Sequence, residues 1–219
     1  MITDERTATY IESLDGGNSP FLEEIERKAL EGGVPVIRKA TQSLIKFLLE
    51  SNKPTDILEV GAAVGFSSLL MAEYSKPEAT ITTIENYEKR IKVAKENIAN
   101  SEHGQKVKLL EGDAMEILNE LSQNERRFDM IFVDAAKAQY ISYYPLVKKM
   151  LRSGGILLTD NVLFDGDIVQ SRFAVRRRDR TIHARMREFL RTVSSDDDFS
   201  TTILPIGDGM TLSVRKESI

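Results

Sequence analysis

The chain contains no cysteine, which excludes both a disulfide framework and a thiolate zinc site. Histidine is nearly absent too: His103 and His183 are too few for a multi-histidine metal centre. No run approaches the roughly 18 consecutive apolar residues of a membrane span. The opening MITDERTATYIESL carries charge early and lacks the apolar core of a secretion signal, so a cytoplasmic protein is expected. What remains is an ordinary globular composition, 41% hydrophobic and 29% charged over 219 residues. A single domain over 1–219 is expected, with N-terminal helices in 1–52 and the core in 53–219.

Acidic residues outnumber basic ones, 34 to 30, for a formal net charge of −4. Positive charge is unevenly placed. Eight arginines stand between Arg172 and Arg191 against Asp179 and Glu188, in and around the stretch RRRDRTIHARMR. Such asymmetry speaks of a partner rather than of a fold. Arg176, Arg180 and Arg187 have helical spacing, and Ile182, Met186, Phe189 and Leu190 form an apolar stripe, so an amphipathic helix is expected here. Arginine without lysine favours phosphate forks or interfaces over plain solvation.

The first fifty residues read as helices. Ser19-Pro20 is a start signal, and Ile37, Leu44, Ile45, Leu48 and Leu49 continue the helical period. From Asp56 onward short apolar runs alternate strictly with helical segments: DILEVG, ATITTIE, KVKLLEGD, FDMIFVDAA and GGILLTDN are the strands. That alternation predicts a parallel sheet covered by helices on both faces. FSTTILPIG and GMTLSVRK, joined through Gly207-Asp208-Gly209, predict an antiparallel hairpin at one edge.

In open α/β sheets ligands bind beyond the carboxyl ends of the strands. The first strand runs into EVGAAVGFSS, where Gly61 and Gly65 permit a tight turn and a close backbone approach. The spacing lacks the middle glycine of dinucleotide binders, and a plain strand-to-helix turn is the alternative reading to a ligand-binding one. Glu85 ends the second strand, placed either to accept both hydroxyls of a ribose or to charge the next helix start. Asp113 and Ala114 follow the third strand, at an adenine edge or at a helix cap. Asp134 ends the fourth strand with Lys137 three residues on, and Asp160-Asn161 end the fifth. Neighbouring parallel strands would gather Asp134, Asp160 and Asn161 into an oxygen cluster suited to a hard cation such as Mg²⁺.

DILEVGAAVGFSSLLMA, TIENYEKRIKVAKENI, FDMIFVDAAKAQY and GGILLTDNVLFDG together resemble the metal-dependent O-methyltransferases of the catechol and caffeoyl-CoA type. The resemblance runs from about Val34 to the C-terminus. It implies a Rossmann-like class I methyltransferase fold, with a mostly parallel seven-stranded sheet, an antiparallel edge strand and extra N-terminal helices. It also implies S-adenosylmethionine at the glycine turn: Glu59, Gly61 and Ser67 at the methionine end, the Ile37 backbone over the cofactor, Glu85 on the ribose, Asp113 and Ala114 near the adenine, and Asp134 alongside. By the same resemblance Asp134, Asp160 and Asn161 ligate Mg²⁺ or Mn²⁺, Lys137 is the base, and the protein is a homodimer with contacts through its N-terminal helices.

Two departures narrow the acceptor. DAAKAQY lacks the second acidic residue of the caffeoyl-CoA type, and the arginine block is additional. Both look like the bacterial branch that methylates 5-hydroxyuridine at the tRNA wobble position. That ring places a hydroxyl beside a carbonyl oxygen, so it chelates a cation much as a catechol does. Arg172, Arg176, Arg177, Arg178 and Arg180 would then contact anticodon-stem phosphates. A free catechol or phenylpropanoid is the alternative acceptor.

Overall fold

The computed structural model describes residues 4–171 and 173–217. Seven strands, β1 (Asp56–Val60), β2 (Thr80–Glu85), β3 (Val107–Glu111), β4 (Phe128–Val133), β5 (Leu151–Thr159), β6 (Phe199–Leu204) and β7 (Met210–Arg215), form one sheet in the order β3-β2-β1-β4-β5-β7-β6. β2 pairs in parallel with β1 and β3, and β4 pairs in parallel with β5. β7 runs antiparallel to both β5 and β6, which closes one edge as the hairpin signal predicted. The chain divides into two compact units, Arg6–Ile117 and one built on residues 118–217.

In the first unit the near-continuous apolar strands are buried on both faces: every residue of β2 after Thr80 is buried, and every residue of β1 after Asp56. Helices α1 (Glu5–Ser13), α2 (Pro20–Glu31) and α3 (Lys39–Asn52) precede the sheet, and α4 (Phe66–Tyr74) and α5 (Glu88–Asn100) connect its strands. Ser19 caps α2, its Oγ accepting from Leu22 N at 3.4 Å. α4 is buried from Phe66 to Ala72, and its end is held by Lys106, whose Nζ donates to Ala72 O and Ser75 O at 2.8 and 3.0 Å. Ile37, grouped by its period with the helix, lies two residues ahead of α3 instead; Arg38 there is extended, and Ile37 is buried all the same.

The second unit contains β4 to β7 with α7 (Tyr140–Met150) and α8 (Arg180–Ser194); α6 (Ala114–Gln123) leads into it. α7 begins at Tyr140 and carries Pro145 inside. Burial of Tyr140, Tyr143, Tyr144 and Val147 on one side outweighs the lost backbone bond. The arginine-rich helix is shorter than its spacing suggested. It starts at Arg180, while Arg176 is extended and Arg177–Asp179 form a single 3-10 turn. Its buried stripe is also rotated: His183, Met186, Phe189 and Val193 face inward, and Ile182 and Leu190 are only half-buried. Phe189 fixes that rotation by packing edge-on against Tyr140 and Tyr144, with ring centroids 5.7 and 6.0 Å apart.

Candidate active site

The turn after β1 is shaped by its glycines. Gly61 and Gly65 have φ of +107° and +82°, a region that side-chain-bearing residues rarely adopt. Gly61 N and Ala62 N donate to Ile84 O at 3.0 and 2.9 Å, so the turn folds over the end of β2. A Cβ on Gly65 would stand 3.5 Å from the Ala94 side chain, and Asn97 Nδ2 donates to Val64 O at 2.8 Å; α5 therefore clamps the turn. Glu85 reaches the same turn. Its Oε2 accepts from Ala63 N at 2.8 Å, and its Oε1 accepts from Asn86 N and Tyr87 N at 2.9 and 3.0 Å. Of the two alternatives for Glu85 the helix-start tie is the one these contacts display, since its carboxylate accepts from the first backbone N–H groups ahead of α5.

The other cofactor candidates divide. Glu59 is fully buried and accepts from Thr83 Oγ1 at 2.5 Å, so in this conformation it supports the turn from below. Ser67 is buried in the first turn of α4. Asp113 caps α6, its Oδ1 accepting from Met115 N at 2.8 Å and Glu116 N at 3.3 Å, with Ala114 as the first helical residue. The Ile37 carbonyl is already engaged by Gln42 Nε2 at 2.8 Å.

In the second unit the parallel register sets Val133 opposite Thr159, so the next residues of β4 and β5 meet. Asn161 Nδ2 donates to Asp134 Oδ1 at 2.8 Å, which leaves the amide oxygen free to face a cation. Asn161 has φ of +62°, strain that asparagine tolerates better than most residues. Asp160 is 4% exposed, and its carboxyl is pushed up to about 7. Burial is the main cause, followed by repulsion from Asp134 and Asp208, against the pull of Asn161 N–H and Lys137. Carboxylates converging this way, with one buried and destabilised, suit a hard divalent cation, whose charge would relieve them. Among the described residues no cluster of three or more His, Asp or Glu side chains is gathered to hold a metal by themselves, and Asn161 is the amide hydrogen-bonded to Asp134.

Lys137 opens a short 3-10 turn, and its Nζ lies 5.1 Å from the centroid of the Phe164 ring. Phe164 itself has φ of +51°, an outlier for an aromatic residue and a mark of local strain.

Two further residues belong to this cluster. Tyr140, buried, donates from its hydroxyl to Asp160 O at 3.0 Å and accepts from Ala135 N at 3.3 Å, tying the two strand ends together. Burial and the neighbouring Asp134 and Asp160 hold its phenol well above the usual range, so it remains a neutral donor. Its signal was present in DAAKAQY, where an aromatic with a polar tip closes the motif. Asp208 arrives from the β6–β7 turn. Leu163 N and Val162 N donate to Asp208 O and Gly209 O, both at 2.9 Å, which docks the turn on the segment after Asn161. The Gly207-Asp208-Gly209 signal announced a hairpin, but nothing local told that its aspartate would face Asp160.

The arginines separate into two kinds. Arg180 donates to Val175 O and Phe173 O, both at 3.4 Å, Arg185 to Ala138 O at 3.1 Å and Arg187 to Ile168 O at 2.8 Å. These three pin the loops around the cluster to α8. Arg176, Arg177 and Arg178 are exposed, and Arg178 Nε lies 3.6 Å from Asp179 Oδ2. Arg172 lies outside the described residues.

Comparison with known proteins shows the family. A Niastella koreensis catechol O-methyltransferase is 29% identical over 163 residues, 73% of this chain and 74% of its own. A Staphylococcus aureus structure provisionally named a caffeoyl-CoA O-methyltransferase superposes with a TM-score of 0.86 at 31% identity, covering 97% of this chain and all of its own. The Podospora anserina methyltransferase PaMTH1, solved with S-adenosylhomocysteine bound, superposes with a TM-score of 0.85 at 28% identity, covering 97% and 95%. Residues 13–216 match the O-methyltransferase family model, and the chain belongs to that O-methyltransferase family.

Proposed function

We propose that this protein uses S-adenosylmethionine and Mg²⁺ (or Mn²⁺) to methylate the 5-hydroxyl of 5-hydroxyuridine at the tRNA wobble position, in the cytoplasm and as a homodimer. The single observation that carries the acceptor class is the exposed run Arg176-Arg177-Arg178 on the loop that is pinned to the Lys137 turn through α8. Three solvated guanidinium groups there suit the phosphates of an RNA stem better than a small uncharged phenol.

On this reading the turn of Gly61 and Gly65 receives the methionine part of the cofactor, and Glu85 receives ribose hydroxyls on its spare lone pairs. A cation held by Asp134, Asp160 and Asn161 supplies the positive charge that favours an ionised acceptor hydroxyl. Asp134 and Asp160 provide the compensating charge, and Asn161 orients Asp134 through its amide. Lys137 takes the acceptor proton on Nζ, and Phe164 beneath it limits where that nitrogen points. Tyr140 holds the backbone of Ala135 and Asp160 in place, so that both carboxylates stay aligned. Tyr10 and Ile11 on α1, Leu14 just after it and Phe47 on α3 are exposed apolar side chains, which favour burial of the N-terminal helices against a second copy.

The names of the relatives favour a second reading, a free catechol or phenylpropanoid as acceptor. Nucleoside mass spectrometry separates the two. Undermethylated tRNA incubated with protein, S-adenosylmethionine and Mg²⁺ is expected to gain 5-methoxyuridine. Rapid methylation of a catechol with no methoxyuridine formed would sink the tRNA reading.

A further inference from the structure

Phe173 is 82% exposed, an unusual place for a phenylalanine, and it is presented rather than stray. The turn that carries it is closed by Ala174 N donating to Ser171 O at 2.9 Å and Phe173 N donating to Ser171 Oγ at 3.3 Å. Two residues on, Val175 is 5% exposed and anchors the loop in the unit. The Arg180 guanidinium lies over the Phe173 ring, 5.8 Å from its centroid, while its nitrogens donate to Phe173 O and Val175 O. One face of the ring is therefore backed by a fixed cation, and the side chain remains open to solvent otherwise. Arg176, Arg177 and Arg178 follow at once, all exposed.

We propose that Phe173, backed by Arg180, is a stacking platform for one unpaired base of the RNA acceptor, with Arg176–Arg178 holding the adjoining phosphates. The inference rests on the RNA reading above and specifies which side chain meets a base. An exposed aromatic face next to arginines is what single-stranded nucleic acid requires: every base has a π-face to stack, and each carries a phosphate beside it. A guanidinium under the ring also deepens its interaction with the electron-rich edge groups of a stacked base. A small phenolic acceptor has no use for a solvent-facing ring beside three cations. A membrane surface would need a larger apolar patch than this ring and Val169, the other strongly exposed apolar residue of the loop.

The test measures binding of an anticodon stem-loop RNA carrying 2-aminopurine in its loop, by anisotropy and by 2-aminopurine quenching, over a series of salt concentrations. Phe173→Ala is expected to weaken binding about 10-fold, within the range for loss of one base–aromatic stack, and to lose the quench. Its salt slope should match that of the wild type, because no phosphate contact is removed. Phe173→Trp should restore both affinity and quench, and Arg176→Ala should reduce the salt slope by about one. Phe173 buries almost nothing, so its truncation leaves the fold intact. Wild-type affinity and quench in Phe173→Ala would overturn the platform while leaving the RNA reading standing. Failure of the wild-type protein to bind the stem-loop would overturn both. A change in sedimentation of Phe173→Ala with unaltered RNA affinity would assign the ring to a protein contact and also overturn the proposal.

Discussion

Replacing Asp160 by asparagine should make the metal-free protein more stable, although it removes a residue central to the site. Asp160 is 4% exposed with its carboxyl pushed up to about 7, against 3.8 in its ordinary state. An acid whose folded value is raised binds its proton more tightly folded than unfolded. The folded protein therefore loses stability as pH climbs from about 4 to about 7, and the loss is constant above that. Three units at about 1.4 kcal/mol each give a penalty of about 4 kcal/mol at full ionisation, an upper figure. Asparagine carries no charge at any of these pH values and keeps an oxygen for the Asn161 N–H that now donates to Oδ1 at 2.7 Å. In EDTA, Asp160→Asn should melt about 10 °C above the wild type near pH 8, and the difference should shrink toward zero near pH 4. Added Mg²⁺ should raise the melting temperature of the wild type and leave that of the variant unchanged. Circular dichroism melts across this pH range decide the matter. A variant no more stable than the wild type at pH 8, or one whose gain is equal at pH 4, would refute the argument that Asp160 is held ionised against its surroundings.

Lys137→Met should lower kcat about 10²- to 10⁴-fold, the usual contribution of a positioned base, with S-adenosylmethionine affinity preserved; single-turnover methylation with calorimetric titration of the cofactor checks it. Gly65→Ala puts a side chain at φ +82° against Ala94, so it should cost about 1 kcal/mol or more of stability and weaken cofactor binding, read by urea unfolding and by the same titration. Tyr140→Phe leaves Asp160 O and Ala135 N without their hydroxyl partner and should destabilise by about 1–3 kcal/mol; an unchanged urea midpoint would show that the hydroxyl ties nothing together.

Periodicity and composition made much of this protein readable without coordinates. Alternating β-branched and helical segments specify a parallel sheet, because both rest on local sterics and on a two-sided apolar pattern that only a covered strand can satisfy. The absence of cysteine and the near-absence of histidine confined any metal to oxygen ligands. The ordering of glycine turn, Glu85, Asp134 and Asp160-Asn161 at successive strand ends brought the family into view, and the motif match over residues 13–216 agrees.

Long-range packing decided the rest. The β4–β5 register brought Asn161 against Asp134, as their places at neighbouring strand ends led one to expect, and the docking of the β6–β7 turn set Asp208 facing Asp160, a meeting that no local pattern encodes. Tyr140, the first residue of α7, became the tie between two strand ends through contacts with Asp160 O and Ala135 N. The arginine stretch shows the division most clearly. Its charge was plain in the sequence, but helical spacing misread it as one continuous face. Burial of His183, Met186, Phe189 and Val193 started the helix at Arg180 and turned Arg180, Arg185 and Arg187 onto backbone carbonyls. That left Arg176, Arg177 and Arg178 in solvent beside an exposed Phe173. The sequence by itself determined the strands, the oxygen-only donor set and the excess of arginine, since each is a property of residues near one another in the chain. Only the tertiary structure decided that Asp208 comes to face Asp160 and which arginines remain available, because those outcomes depend on which surfaces are buried against which.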